Sequence, residues 1–182
     1  EKSDGIDIFL FHMLTKNTNE VQYEDSGKVE LNNSINIKLL QLNINKLLKR
    51  KRVNRIFLFS NYELKSIKDK RITNIKLEMD EKKLMYERVL CMYSFIKSGL
   101  FLNKICFIDI DVFINLDKLQ LFSNDFDIAL THRNIPGFMP INEGIIFIKN
   151  TNKLSVLKFF KKYIWNYLTI GNSKEIIKHY DK

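Results

Sequence analysis

The sequence predicts an α/β domain whose central sheet is mostly parallel and covered by helices on both faces. Three observations carry this. Strand-like and helix-like segments alternate through the first 114 residues. The strand-like segments are continuous apolar runs rather than alternating ones, as expected when both faces of a sheet are buried. No repeat, linker or low-complexity stretch divides the 182 residues, a length that suits one domain spanning 1–182.

Each element follows from its local pattern. Residues 6–14, "IDIFLFHML", read as a first buried strand, and 15–34 are polar enough to read as a loop. Residues 35–51 place Ile35, Leu39, Leu42 and Leu47 at mostly helical spacing. "RIFLFSN", 55–61, is a second strand ending in turn residues, and 72–79 is a weaker one. A helix is predicted over 81–99, with Leu84, Val89, Met92, Phe95 and Ile96 on its apolar face and Gly99 as its C-cap. Further strands are expected over 104–114, 126–133 and 143–150, then an amphipathic helix over 153–168. The tail, 169–182, is polar.

Composition narrows the function classes. The longest apolar runs are too short for a membrane span, and no secretory signal is visible, so a cytoplasmic location is expected. Cys91 and Cys106 lie in apolar surroundings outside any CxxC motif and read as reduced core cysteines. Three scattered histidines argue against a zinc site. The net charge of +9 suits anionic partners, although a chain heavy in Lys, Asn and Ile also reflects a general compositional bias. The densest basic cluster runs from Lys46 to Arg55, at the end of a predicted helix where cations suit the dipole. Peripheral membrane contact is expected there, if anywhere; no nucleic-acid-binding motif is present, so nucleic acid is not expected as a partner.

The chemistry-bearing stretch is "FIDIDVFI", 107–114. Two carboxylates, Asp109 and Asp111, sit within an apolar run. Burying one unpaired carboxylate is costly, and two close together repel. Either the pair lies where the strand leaves the core, or a positive group sits between them. Residues two apart on a strand point the same way, so both could face one site. Oxygen ligands suit Mg²⁺ or Mn²⁺, ions that commonly also hold substrate phosphates. Strand-end aspartates that cap a turn or meet lysines are the structural alternative.

A second feature is "MPINEGIIFIKN", 139–150, with Asn142 and Gly144 just before an apolar strand. Glycine lets a backbone approach a ligand closely, and asparagine both donates and accepts. The alternative is a turn before a strand. The preceding loop, "THRNIPGFMP", carries His132 and Arg133 as candidates for phosphate or acceptor contact, and two prolines that stiffen it.

Taken in order, "ICFIDIDVFINLDKL" followed by "INEGIIFIKN" resembles the nucleotide-sugar glycosyltransferases of the GT-A fold. The likeness is to the glycogenin and lipopolysaccharide galactosyltransferase group, family 8. It covers 84–150 closely, including the helix "YERVLCMYSFIKSGL" with Arg88 before the D-x-D. The resemblance implies a Rossmann-like GT-A fold, here shortened at its C-terminal end. It implies a metal-dependent transfer of sugar from a nucleotide-diphosphate donor, a UDP-sugar for preference, to a glycan or lipid-linked acceptor. On the same ground Asp109 and Asp111 would hold Mn²⁺ or Mg²⁺ on the donor diphosphate. Asn142 would lie beside the transferring sugar, Gly144 would permit close packing there, and Arg88 would contact the donor.

There are departures. The middle residue of N-x-G is Glu143, where the family has a small one; Glu143 is therefore a candidate base or acceptor contact. The family's second acidic motif and late metal-ligating histidine are not evident, and His179 has no matching context. Two other functions fit parts of the pattern. One is a non-catalytic sugar-nucleotide-binding module of the same fold. The other is a haloacid dehalogenase-type phosphatase, whose h-h-D-x-D strand normally comes first and has Thr or Val where Phe113 stands.

Overall fold

The computed structural model describes residues 5–15, 21–23, 27–29, 33–101, 104–132, 141–149 and 152–170. Its elements in chain order are β1 (Ile6–His12), β2 (Val21–Tyr23), β3 (Gly27–Val29), α1 (Asn33–Leu48), β4 (Val53–Ser60), β5 (Ile72–Lys76), α2 (Leu84–Ser98), β6 (Lys104–Ile108), β7 (Ile128–His132), β8 (Ile141–Lys149) and α3 (Lys153–Ile170). Six strands form one sheet in the order β5-β4-β1-β6-β8-β7. β5, β4, β1 and β6 are mutually parallel, and β8 runs antiparallel to both of its neighbours. The α/β, mostly parallel architecture is the predicted one.

Both faces of the sheet are buried, which explains the continuous apolar runs. Phe9, Phe57, Phe59, Ile105 and Phe107 point to the side covered by α2 and α3. Ile8, Leu10, Ile56, Leu58 and Cys106 point to the side covered by α1. The first side is aromatic: Phe9 lies 4.8 Å from Phe59, 5.6 Å from Phe95 and 4.7 Å from Phe107, centroid to centroid. Each such ring contributes about 1.5–3 kcal/mol by leaving water. Cys91 and Cys106 are both free and buried, in the clusters on opposite faces of the sheet. Burial pushes the Cys91 thiol up to about 12 and Cys106 well above its usual value, so both are inert.

Three expectations are corrected. The loop predicted over 15–34 contains a short antiparallel pair, β2 with β3, each too brief to leave a hydrophobic pattern. The buried face of α1 is Leu40, Asn43, Ile44 and Leu47, while Ile35 and Leu42 are exposed. Apolar residues surround this helix, so spacing alone does not choose the face. The strand predicted over 104–114 ends at Ile108. From Asp109 the chain turns, with the Val112 N–H donating to the Asp109 carbonyl at 3.1 Å.

The topology fixes where a ligand can sit. From β1 the chain moves outward to β4 and β5, then returns across α2 to β6 on the other side of β1. The carboxyl ends of β1 and β6 therefore flank a topological switch point, where open α/β sheets hold their ligands. α2 starts at this edge and ends at the opposite one. α3 begins there too, its Lys153 Nζ donating to the Lys97 carbonyl at 3.2 Å, and then climbs past Phe107, 5.9 Å from Phe160.

Candidate functional site

Asp109 is the first residue past β6. Three other elements hold it. Its N–H donates to the Gly144 carbonyl of β8 at 2.9 Å. Its carbonyl accepts from Asn43 Nδ2 of α1 at 3.2 Å. Its carboxylate meets Arg88 of α2, with Nη2 2.8 Å from Oδ1.

Arg88 explains much of the D-x-D puzzle. Its side chain is only 6% exposed, whereas that of Asp109 is 39% exposed. The guanidinium shares the buried face of α2 with Met92 and Phe95 and reaches the site edge from the first turns of the helix. A buried cation at this place offsets the cost of an acid at the end of an apolar strand. The first reading of the aspartates holds, since the strand ends there, and Arg88 supplies a positive group on the Asp109 side. Asp111 is exposed. The two carboxylates are presented by a turn and not by strand alternation, so the expectation that i, i+2 strand geometry aligns them is corrected.

Asn43 was not legible as a site residue. It is buried, and its Nδ2 reaches the carbonyls of Asp109, Ile110 and Val112 at 3.2, 3.1 and 3.0 Å. One amide therefore clamps the whole D-x-D turn to α1. The available signal was a polar residue one helical turn before Leu47 on an otherwise apolar stripe.

The β1 side of the switch point is stitched by other amides. Asn61 brackets Leu14, donating to its carbonyl at 2.8 Å and accepting from its N–H at 2.9 Å. Asn33 donates to the Thr15 carbonyl at 2.7 Å. His12, at the end of β1, is buried, and its Nδ1 lies 2.8 Å from the Tyr62 hydroxyl. Burial lowers the His12 pKa to about 4 and raises that of Tyr62 to about 12, so both are neutral at ordinary pH.

β8 brings the N-x-G segment to the same edge. Asn142 lies opposite Thr131, and Ile141 opposite His132, with a register shift after Leu130. That irregularity falls where Gly144 turns its carbonyl to Asp109. His132 is exposed at the end of β7. Arg133, both prolines and His179 lie outside the described residues, as do the side chains of Asn142 and Glu143.

The basic cluster lies at the opposite edge, where β4 begins. Much of it is structural. Arg55 pairs with the buried Asp7 at 2.7 Å. The Arg52 guanidinium donates to the carbonyls of Leu116 and Leu119, and Arg50 lies 4.0 Å from Asp117. An open cleft of about 620 Å³ beside Arg52 and Lys104 is also at this far edge and does not reach Asp109. Among the described residues no helix is long and apolar enough to cross a membrane.

No family model and no curated protein matches the chain. Solved structures do. A glycosyltransferase involved in glycosylation of the major capsid of PBCV-1 superposes with a TM-score of 0.51 at 16% identity, over 94% of this chain and 68% of its own. The glycosyltransferase GlyE of Streptococcus pneumoniae TIGR4 gives 0.53 at 13% identity, over 93% of this chain and 40% of its own. Its apo form gives 0.54 at 14% identity, again with 40% of that chain covered. The chain thus spans about two-fifths of GlyE. Its fold, a GT-A-like mixed sheet flanked by helices, is similar to that of these glycosyltransferases.

Proposed function

We propose that the chain is the donor-binding part of a glycosyltransferase acting on a nucleotide-diphosphate sugar. The observation that carries this reading is the Arg88–Asp109 pair, with Asp111 beside it, at the switch point of a transferase-type sheet. A diphosphate brings two or more negative charges; a site that offers only carboxylates would repel it. A buried guanidinium, with a cation that Asp109 and Asp111 would hold, would together reverse that sign.

The donor set suits such a cation. Asp109 and Asp111 supply oxygen only, and no group of three His, Cys, Asp or Glu side chains able to hold a metal occurs among the described residues. Two carboxylates fit a hard Mg²⁺ or Mn²⁺ that completes its shell with phosphate and water. When bound, that ion would act as a Lewis acid toward the leaving diphosphate. The chain's own residues orient. Arg88 fixes the Asp109 carboxylate, Asn43 fixes the backbone of the turn, and the Gly144 carbonyl fixes the Asp109 N–H. Asn142 is assigned to the sugar on the motif resemblance; Glu143, where the sequence departs from the family motif, is assigned as a base or an acceptor contact. His132, exposed at the end of β7, is assigned to phosphate or acceptor contact.

Isothermal titration of UDP-glucose and UDP-galactose, with and without Mn²⁺, tests this together with a turnover assay. Binding that needs metal and is lost in Asp111→Asn supports the proposal. Binding without turnover under any acceptor would favour the non-catalytic module. Phosphate release from a monoester, without sugar-nucleotide binding, would overturn the reading in favour of a phosphatase.

A further inference from the structure

The helix α3 buries one face, Val156 and Phe160, against the aromatic core. Its opposite face is not an ordinary solvated one. Leu154 is 64% exposed and Trp165 65% exposed, and Phe159 is also exposed. Leu154, Lys158, Lys161 and Trp165 are spaced by four, three and four residues, so they form one stripe along the helix. Lys162 and Phe159 flank it. Lys158, Lys161 and Lys162 are all exposed, and no acidic residue occurs anywhere in α3.

Water-facing helices commonly mix acids with bases and keep large apolar residues off the surface. A helix with exposed Trp, Phe and Leu, several lysines and no acid has the composition of one lying in the interface of an anionic bilayer. There the rings and the leucine enter the headgroup boundary, while lysine stems lie along apolar surface and their ammonium groups reach phosphate. The direction of α3 matters as well. It starts beside Lys97 at the far edge and climbs toward the carboxyl edge, so Trp165 stands nearer the Asp109 end than Leu154 does.

We infer that the outer face of α3, from Leu154 to Trp165, docks on an anionic lipid surface. This differs from membrane contact through Lys49–Arg52, which sits at the far edge and is partly committed to Asp117 and backbone carbonyls. Docking requires neither donor nor metal, so its failure leaves the transferase reading untouched.

Trp165 is the single tryptophan of the chain and reports on its own face. The full 182-residue chain is mixed with vesicles of pure phosphatidylcholine, or of phosphatidylcholine with one-third phosphatidylglycerol, at low salt. The expected result is a blue shift of tryptophan emission and flotation with the anionic vesicles alone. Neutralising three lysines, Lys158→Gln with Lys161→Gln and Lys162→Gln, should weaken binding roughly 10²-fold. High salt should weaken it likewise. Trp165→Ala, followed by flotation, should weaken it independently. All four positions are exposed, and circular dichroism checks that each variant folds. Absence of binding to anionic vesicles overturns the inference. So does emission already blue-shifted without lipid, which means that protein covers this face. So does binding that survives the α3 variants but is lost when Lys49, Arg50, Lys51 and Arg52 are neutralised.

Discussion

The Arg88 guanidinium lies 2.8 Å from the Asp109 carboxylate, joining the start of α2 to the turn after β6. The arginine is buried and the aspartate half-exposed, so the pair is neither a surface ion pair nor a fully buried one. Asp109→Asn should destabilise the fold by about 1–3 kcal/mol, below the cost of breaking a fully buried pair. Asp111→Asn, at an exposed position, should leave the urea midpoint within experimental error. Equilibrium unfolding of both variants checks the contrast; equal losses would mean that Asp111 also carries structure.

Asn43→Ala removes one amide that serves three carbonyls of the D-x-D turn. The Asp109 carbonyl keeps the Val112 N–H, but the part-buried Ile110 and Val112 carbonyls lose the amide, at a cost of about 1–3 kcal/mol. Amide hydrogen exchange should rise in 109–112 more than in β1 or β4. A uniform rise would reduce Asn43 to a general packing residue.

His12 makes stability depend on pH. Its folded pKa is held near 4 by burial, against 6.5 for the free side chain. Between those values the unfolded chain binds the proton and the folded chain does not. Stability is therefore complete above about pH 6.5 and falls as pH drops toward 4, by on the order of 3 kcal/mol. His12→Gln should flatten this window in a pH series of denaturation midpoints. A profile that keeps its slope assigns the acid sensitivity elsewhere.

The basic cluster should split under mutation. Arg55→Gln leaves the carboxylate of Asp7, itself only 1% exposed, without its close cation and should cost about 2–4 kcal/mol. Lys49→Gln and Lys51→Gln, at exposed positions, should change stability by no more than about 0.5 kcal/mol. Thermal melts of the three variants decide between a structural and a purely surface role for the cluster's arginine.

The parallel α/β class was legible because a sheet buried on both faces demands unbroken apolar runs such as "IFLF" and "KICFI". The C-cap at Gly99, with φ of 69°, was legible because only glycine adopts that conformation cheaply. The D-x-D and N-x-G segments were legible as short motifs and meet at one edge, Asp109 bonding to Gly144. What they lean on was decided by tertiary structure. The end of β6 at Ile108 came from the turn and not from a break in hydrophobicity, since Ile110, Val112 and Ile114 continue the apolar pattern. The choice of α1's buried face also lay beyond periodicity, because apolar residues surround that helix. Asn43 and Arg88 lie 66 and 21 residues before Asp109. Their polar groups acquire partners only when α1 and α2 close on opposite faces of the sheet, and local sequence carries no record of a contact made across that distance.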